Sequence, residues 1–369
     1  MTQLATDVTS AKNLIGPPPS QKETPLLRAW RTFFGTPLNG AISIVCILLL
    51  VWLTPKLVNW FLLDATWSGT AQDCRKGAGA CWAFIGEKWR VMLFGVYPAE
   101  ELWRPTLMMA LFMAMIVASM FKALWRKELL YAWAATVPIL LILMAGGIFG
   151  LAPVPTNRWS GLPVTLLISL FGLVLAFPLA IMLALGRRST MPLIRMLSVC
   201  YIELIRGVPL ISLLFMASVI LPLFLPTGTT IDKLLRAQIA IIMFAAAYLA
   251  EVVRAGLQGI PRGQYEAADS LGLTYWQSMR QIVLPQALKM VIPPLVGTFI
   301  GFFKDTTLII IVGLFDFLFA VRAPLADPNW LGFSTEAYVF AALIYFCFCF
   351  TMSRYSQYLE RELTPERRR

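Results

Sequence analysis

The sequence predicts an all-α membrane protein of about eight transmembrane helices, and three observations carry that expectation. Hydrophobic residues make up 58% of the 369 residues and charged residues only 14%, and the mean hydropathy is +0.72. A soluble chain of this length could not hide so much apolar surface. The apolar residues also fall into long runs of the length that crosses a bilayer as a helix. Finally, the basic residues collect in short segments between those runs. The net charge of +11 therefore reads as membrane topology rather than nucleic-acid binding.

Residues Met1 to about Ser20 are polar, contain Pro17-Pro18-Pro19 and are expected to be disordered. No cleavable signal peptide is expected, because the first apolar run begins late. Pro25 to Pro37 sets Leu26, Leu27, Trp30, Phe33 and Phe34 beside Arg28 and Arg31. That pattern suits a short helix lying in the interface, although a plain linker fits it too. Eight candidate spans follow, at about Ala41–Leu63, Trp103–Phe121, Leu129–Leu151, Leu162–Leu185, Leu197–Phe224, Ala237–Leu257, Met290–Phe319 and Ala337–Met352. The fifth and seventh are long, so tilts or breaks are expected there. Three regions result: an N-terminal tail over 1–40, a three-helix region over 41–152 with an external loop at 64–102, and a five-helix core over 153–369. The first three spans carry almost no charge, whereas nearly all the unusual intramembrane residues lie in the last five. Gly146/Gly150 and Gly297/Gly301 have the small-xxx-small spacing that lets helices approach closely.

Loop charge gives the orientation. With a cytoplasmic N-terminus, that side gathers Lys122, Arg126, Lys127, Arg187, Arg188, Arg195 and the tail Arg367-Arg368-Arg369. The short external loops hold only Arg158, Lys233, Arg236 and Arg322. Both termini, and a polar insert of about thirty residues between the sixth and seventh spans, are thus expected in the cytoplasm.

Several functions are excluded. The chain has no histidine, which removes the commonest general base and metal ligand together. It has no GxxxxGK[ST] phosphate-binding loop, so it does not bind ATP that way. No catalytic residue, metal site or cofactor is predicted. Cys46, Cys200, Cys347 and Cys349 sit in apolar spans as small hydrophobes. Cys74 and Cys81 lie in a polar loop and could pair in an oxidising compartment, and the sequence leaves this open.

The polar insert is the most informative stretch. Pro261 suits the first turn of a helix, and Gly272 suits the left-handed residue that ends it. Thr274 with Gln277 then forms a capping box for a second helix running into Leu284-Pro285. Exposed Ala267 and Ala268 would give a slim helix able to enter a groove, with Glu266 and Asp269 for orientation. A hairpin resting on lipid is the alternative.

Charged residues inside spans are costly and suggest function. Glu203/Arg206 and Glu251/Arg254 each stand three apart and could neutralise themselves, which is the preferred reading for the first pair. Gly207 and Pro209 permit a local break beside it. Lys304 and Asp305 point apart on a helix, so each needs a partner elsewhere, and a helix-to-helix ion pair is favoured over substrate contact. Asp316, nearer the outer interface, is expected to be hydrated.

Glu266-Ala267-Ala268, three residues, Gly272, nine residues, Ile282, one residue, Leu284-Pro285 resembles the EAA loop of ABC-importer permeases at every fixed position. Tyr201 to Leu210, Tyr248 to Gly256 and Lys304 to Leu308 are similar to polar amino-acid permeases of the histidine/glutamine family. The likeness covers about Gly161 to the C-terminus. The extended N-terminal region resembles the longer permeases of general L-amino-acid and glutamate/glutamine/aspartate/asparagine importers.

The resemblance implies a type I ABC-importer permease core with a cytoplasmic coupling helix, in the bacterial cytoplasmic (inner) membrane. It implies a transport subunit rather than an enzyme. Its partners would be two copies of a cytoplasmic ATPase subunit, a homologous second permease subunit, a periplasmic amino-acid-binding protein and membrane lipid, with no nucleic acid. Glu266, Ala267, Ala268, Gly272, Ile282, Leu284 and Pro285 would couple to the ATPase. Glu251, Arg254, Lys304, Asp305 and Thr306 would line the substrate pathway, Glu251 facing the α-ammonium of an amino acid. The alternative is an ion-coupled secondary amino-acid transporter using Asp305 or Glu251. An intramembrane enzyme has no nucleophile–base pair to support it.

Overall fold

The computed structural model describes residues 24–363 except 227, 229 and 230. The disorder expected before Ser20 and the basic tail after residue 363 lie outside these residues. The chain divides into two compact units, residues 1–80 and 81–369.

In the first unit, α1 (Pro25–Phe34) and α2 (Pro37–Val58) each open on a proline, where the missing N–H is harmless. The Thr36 hydroxyl caps α2 by accepting the Asn39 N–H at 3.1 Å. Leu27, Trp30 and Phe33 are exposed on α1, as an interfacial helix requires. None of the residues of α2 is buried. A helix that is apolar all round needs lipid or protein around it. A short α3 (Ala71–Lys76) follows, started by a capping box between Thr70 and Asp73. The Thr70 backbone N–H and hydroxyl hold the Asp73 carboxyl below its ordinary range. Cys74 and Cys81 are disulfide-bonded, whereas Cys46, Cys200, Cys347 and Cys349 are free thiols.

The second unit begins with α4 (Trp82–Phe94), α5 (Trp103–Met120) and α6 (Lys127–Ala145). It continues with α7 (Gly161–Arg187), α8 (Pro192–Gly207), α9 (Leu210–Phe215) and α10 (Lys233–Gln258). The insert supplies α11 (Arg262–Ser270), α12 (Tyr275–Ser278) and α13 (Leu284–Met290), and α14 (Ile292–Asp305), α15 (Phe317–Arg322) and α16 (Ser334–Leu363) complete the unit.

The central contact is α7 against α10. Ala176, Ala180 and Ala184 lie on one face of α7, and Ala237, Ala240, Ala245, Ala246, Ala247 and Ala250 are buried on α10. Small side chains let two membrane helices approach closely, where apolar solvent supplies no hydrophobic drive. Gly172 belongs to this seam, since a Cβ there would lie 3.0 Å from Ile241. The predicted glycine pairs play no such part. A Cβ at Gly150, Gly297 or Gly301 would meet nothing within 4 Å, and Gly146 instead ends α6 in a positive-φ turn.

Among the described residues seven helices are long and apolar enough to span a membrane, and the bent pair α8–α9, continued to Leu223, would make an eighth. That bend is 101° and falls at the break anticipated from Gly207 and Pro209. Its cause is Pro209, which holds Val208 in extended backbone and offers no N–H to continue the helix. The seventh predicted span, Met290–Phe319, overshoots. After α14 the chain tightens into a 3-10 segment, Thr306–Val312, that Gly313 closes at φ +75. Phe315 and Asp316 then bridge in parallel to Ser160 and Gly161 before α15 starts afresh. Asp316 is correspondingly buried rather than hydrated: its carboxylate accepts the N–H groups of Leu318 at 2.9 Å and Phe319 at 3.1 Å, capping α15.

The segment expected to be an external loop, 64–102, is itself folded. α4 packs on α7, α15 and α16. Phe84 meets the rings of Trp330 and Phe333, and the Trp330 indole N–H donates to Glu87 at 3.1 Å. Lys88 pairs with Asp327 at 2.8 Å, which draws the Asp327 carboxyl down and the Lys88 ammonium up. Glu336 accepts the Cys81 N–H at 3.1 Å. The early spans also hold a charge that the sequence reading passed over. Arg104 is fully buried and donates to the carbonyls of Leu143 at 2.8 Å and Ala152 at 2.7 Å, tying α5 to the end of α6. Beside it the Tyr97 hydroxyl donates to the Met144 carbonyl at 3.0 Å, and burial pushes its pKa up to about 12.

Candidate functional site

The insert folds as the helix–turn–helix that its residues specify. Pro261 stands just outside the helix as its N-cap, one position earlier than the first-turn place expected of it. α11 ends where the Gly272 N–H donates to the Asp269 carbonyl at 2.9 Å and the Leu273 N–H to the Ala268 carbonyl at 3.2 Å. Gly272 sits at φ +70, the left-handed region that favours glycine. Thr274 and Gln277 form the expected capping box, with the Thr274 N–H donating to Gln277 at 2.8 Å. α12 runs through a π turn, Met279–Val283, straight into α13.

The hairpin is fastened to the bundle. Gln286 on α13 donates to Gln264 on α11 at 2.9 Å. α13 lies against the backbone of α10, because a Cβ on Gly256 would come within 2.6 Å of the Ala287 carbonyl oxygen. α13 also leads directly into α14. The hairpin thus packs on one spanning helix, α10, and runs into another, α14, with only Val291 between them.

One site residue faces the other way from its predicted direction. Ala268 is fully buried, and Glu266, Ala267 and Asp269 form the exposed face. Each step along a helix turns the side chain by about 100°, which here sets Ala268 on the inner side of α11 while Glu266 and Ala267 stay on the outer side. Ile282 and Leu284 are half-buried and Pro285 is exposed. Three residues missed in the sequence complete the outer surface: Leu271, Tyr275 and Trp276 are 74%, 54% and 70% exposed. Large apolar side chains flanking a turn in an otherwise polar insert were the available signal.

Beside the hairpin lies a cluster of charges drawn from three helices. Glu203 does not pair with Arg206 as expected; Arg187 at the end of α7 reaches it at 2.7 Å. Arg206 turns instead toward Glu251 at 3.8 Å and lies over the Tyr248 ring. The i,i+3 rule sees one helix only, whereas the tight α7–α8 connection brings Arg187 nearer. Glu251 and Arg254 do pair, at 2.8 Å, and Arg187 joins them at 3.0 Å. Three guanidinium groups thus converge on the Glu251 carboxylate.

Lys304, Asp305 and Thr306 lie elsewhere, at the junction of α14 with its 3-10 extension. Lys304 is exposed and Asp305 half-buried, and neither forms a salt bridge among the described residues. The favoured helix-to-helix ion pair is absent among the described residues. The Thr306 hydroxyl is buried and donates to the Phe303 carbonyl at 2.8 Å. Among the described residues, no group of three or more acidic or cysteine side chains is placed to hold a metal.

Residues 176–365 match the family described as the binding-protein-dependent transport system inner membrane component. The chain belongs to this family. It is a multi-pass inner-membrane permease component, a part of a transporter and not an enzyme. It is 50% identical over 356 residues to the inner membrane amino-acid ABC transporter permease protein YhdY of Escherichia coli (strain K12), covering 95% of this chain and 97% of that one. It is 40% identical over 403 residues to the glutamate/glutamine/aspartate/asparagine transport system permease protein BztC of Rhodobacter capsulatus, covering 91% and 93%. A solved chain titled as an amino acid ABC transporter with histidines is 30% identical, with a TM-score of 0.48, over 55% of this chain and 92% of that one. Both curated relatives extend through the region before residue 176, where the family match begins. None of these matches supports an ion-coupled secondary transporter.

Proposed function

We propose that this permease moves polar L-amino acids inward across the membrane, driven by a separate cytoplasmic ATPase that docks on the hairpin. The observation that carries this reading is the exposed face of Glu266, Ala267, Leu271, Tyr275 and Trp276 on a hairpin braced against α10 and continuous with α14. Such a face suits the helix-in-groove mode: apolar side chains supply contact, and the acids Glu266 and Asp269 set orientation. Gly272 gives the turn and Ala268 is buried beneath the exposed face, while Ile282, Leu284 and Pro285 lead the hairpin through the π turn into α13. ATP binding would draw two ATPase copies together, and each hairpin would follow its partner and swing the spans attached to it. The substrate class rests on the printed names of the relatives.

The full assembly in this proposal has two ATPase copies, a homologous second permease and a periplasmic amino-acid-binding protein. Both termini and the hairpin face the cytoplasm, in keeping with the basic loops on that side. Lys304, at mid-span and exposed on this chain, would be expensive against lipid. A second permease covering that face would let Lys304, Asp305 and Thr306 border a polar pathway. Glu251 and Arg254 belong in this reading to the gate at the cytoplasmic end rather than to a substrate contact.

The test is uptake of labelled glutamate and glutamine into proteoliposomes holding the reconstituted assembly. Uptake is expected with ATP enclosed and the binding protein outside, and to persist when proton and sodium gradients are collapsed. Uptake that needs an ion gradient and ignores ATP would sink the proposal.

A further inference from the structure

A cleft of about 490 Å³ opens at the hairpin end of the second unit, and four of its six lining residues are arginines: Arg187, Arg188, Arg195 and Arg254, with Val199 and Gln258. No carboxylate lines it. Glu203 and Glu251, outside the lining, pair with Arg187 and Arg254. Those ion pairs fix two guanidinium groups in place and engage only some of their donors, Nη1 of Arg187 and Nε and Nη2 of Arg254. Arg188 lies over the Tyr265 ring of the hairpin, 5.9 Å from its centre. Arg195 is exposed on α8 and makes no salt bridge among the described residues. Positive charge thus exceeds negative around the cleft, and its donors are pre-oriented.

The surroundings select the kind of anion. Arg195 stands on a helix whose neighbouring residues Leu193, Ile194, Met196 and Leu197 are apolar and 43–62% exposed. Arg187 and Arg188 stand where the spanning helix α7 ends. A cationic cleft at the end of a span, flanked by exposed oily side chains, matches the level of lipid headgroups. Guanidinium groups bind phosphate in bidentate fashion and are weakly hydrated, so they suit this exchange better than lysines would.

We infer that this cleft is a binding site for the phosphate of an anionic phospholipid, whose acyl chains run along the apolar side of α8. A second cleft of about 420 Å³ shares Arg188 and Gln258 and reaches Arg262, Tyr265 and Glu266. A headgroup seated here therefore braces the hairpin against the ends of α7 and α10. The inference rests on the reading of this end as membrane-facing and needs neither the ATPase nor the amino-acid substrate.

The test is native mass spectrometry of the delipidated full chain, titrated with phosphatidylglycerol or phosphatidylcholine of matched acyl length. A further arm titrates inorganic phosphate against the chain in neutral lipid. Wild type is expected to retain phosphatidylglycerol preferentially, and R188Q/R195Q to bind it about tenfold more weakly with phosphatidylcholine unchanged. Millimolar inorganic phosphate is expected not to displace the lipid. Arg195→Gln alone, changing one exposed residue, carries the same test in the direction of weaker binding should the double variant misfold. Equal retention of the two lipids, or unchanged phosphatidylglycerol affinity in the variants, would overturn the site. Phosphate binding as tight as the lipid would reassign it to a soluble anion and overturn the lipid.

Discussion

Gly272→Asp is expected to abolish ATP-driven uptake while leaving the chain folded and inserted. Gly272 occupies left-handed backbone at φ +70, and a Cβ there would meet nothing within 4 Å. Aspartate is among the few residues that tolerate this conformation, so the cost to the fold is about 1 kcal/mol. What the substitution does add is a side chain and a negative charge at the apex of the exposed face, between Leu271 and Tyr275. At the centre of a docking surface such a change costs 2 kcal/mol or more, which corresponds to roughly a 30-fold loss of coupling. Gly272→Asn is the control, since it adopts the same backbone without the charge and should retain most uptake. The readout is ATP-dependent uptake in membrane vesicles, with chain abundance measured in parallel. Full uptake by Gly272→Asp at wild-type abundance would count against docking at this turn.

Glu251→Gln should give the second largest effect, and the ion network changes what that effect means. Removing the carboxylate's charge leaves Arg187, Arg206 and Arg254 facing one another around a side chain that is only 16% exposed. Breaking a largely buried charge cluster in this way destabilises by about 3 kcal/mol. A lower Tm and loss of uptake by tenfold or more, equal for every transported amino acid, are expected. A substrate contact would give another pattern: a raised KM for some amino acids with Tm unchanged. Thermal melting in detergent alongside uptake competition separates the two.

The hairpin was legible in the sequence because its determinants are local. Gly272, the Thr274–Gln277 box and the break at Pro209 are each specified within a few residues, and each forms as expected. The direction of Ala268 was not legible, because burial depends on α12 and the π turn Met279–Val283 folding back on α11. Charge pairing failed for the same reason: spacing along α8 could suggest Arg206 for Glu203, but only the packing of α7 reveals Arg187. α4 escaped notice because its apolar run is too short to span a membrane and sits in a polar stretch. Arg104 stands at the entrance of a span, where a sequence cannot tell a snorkelling cation from one buried on backbone carbonyls. The small-residue spacing misled in the other direction: the seam that forms, α7 against α10, is built mostly of alanines.

The most direct test of hairpin docking is co-purification of the ATPase with this chain carrying L271D and W276D together. Both side chains are exposed in the chain, 74% and 70%, so neither is needed for its own fold. The account predicts that wild type retains the ATPase through solubilisation and that the double variant loses it while still eluting as a folded membrane protein. Equal retention of the ATPase by the double variant would contradict it.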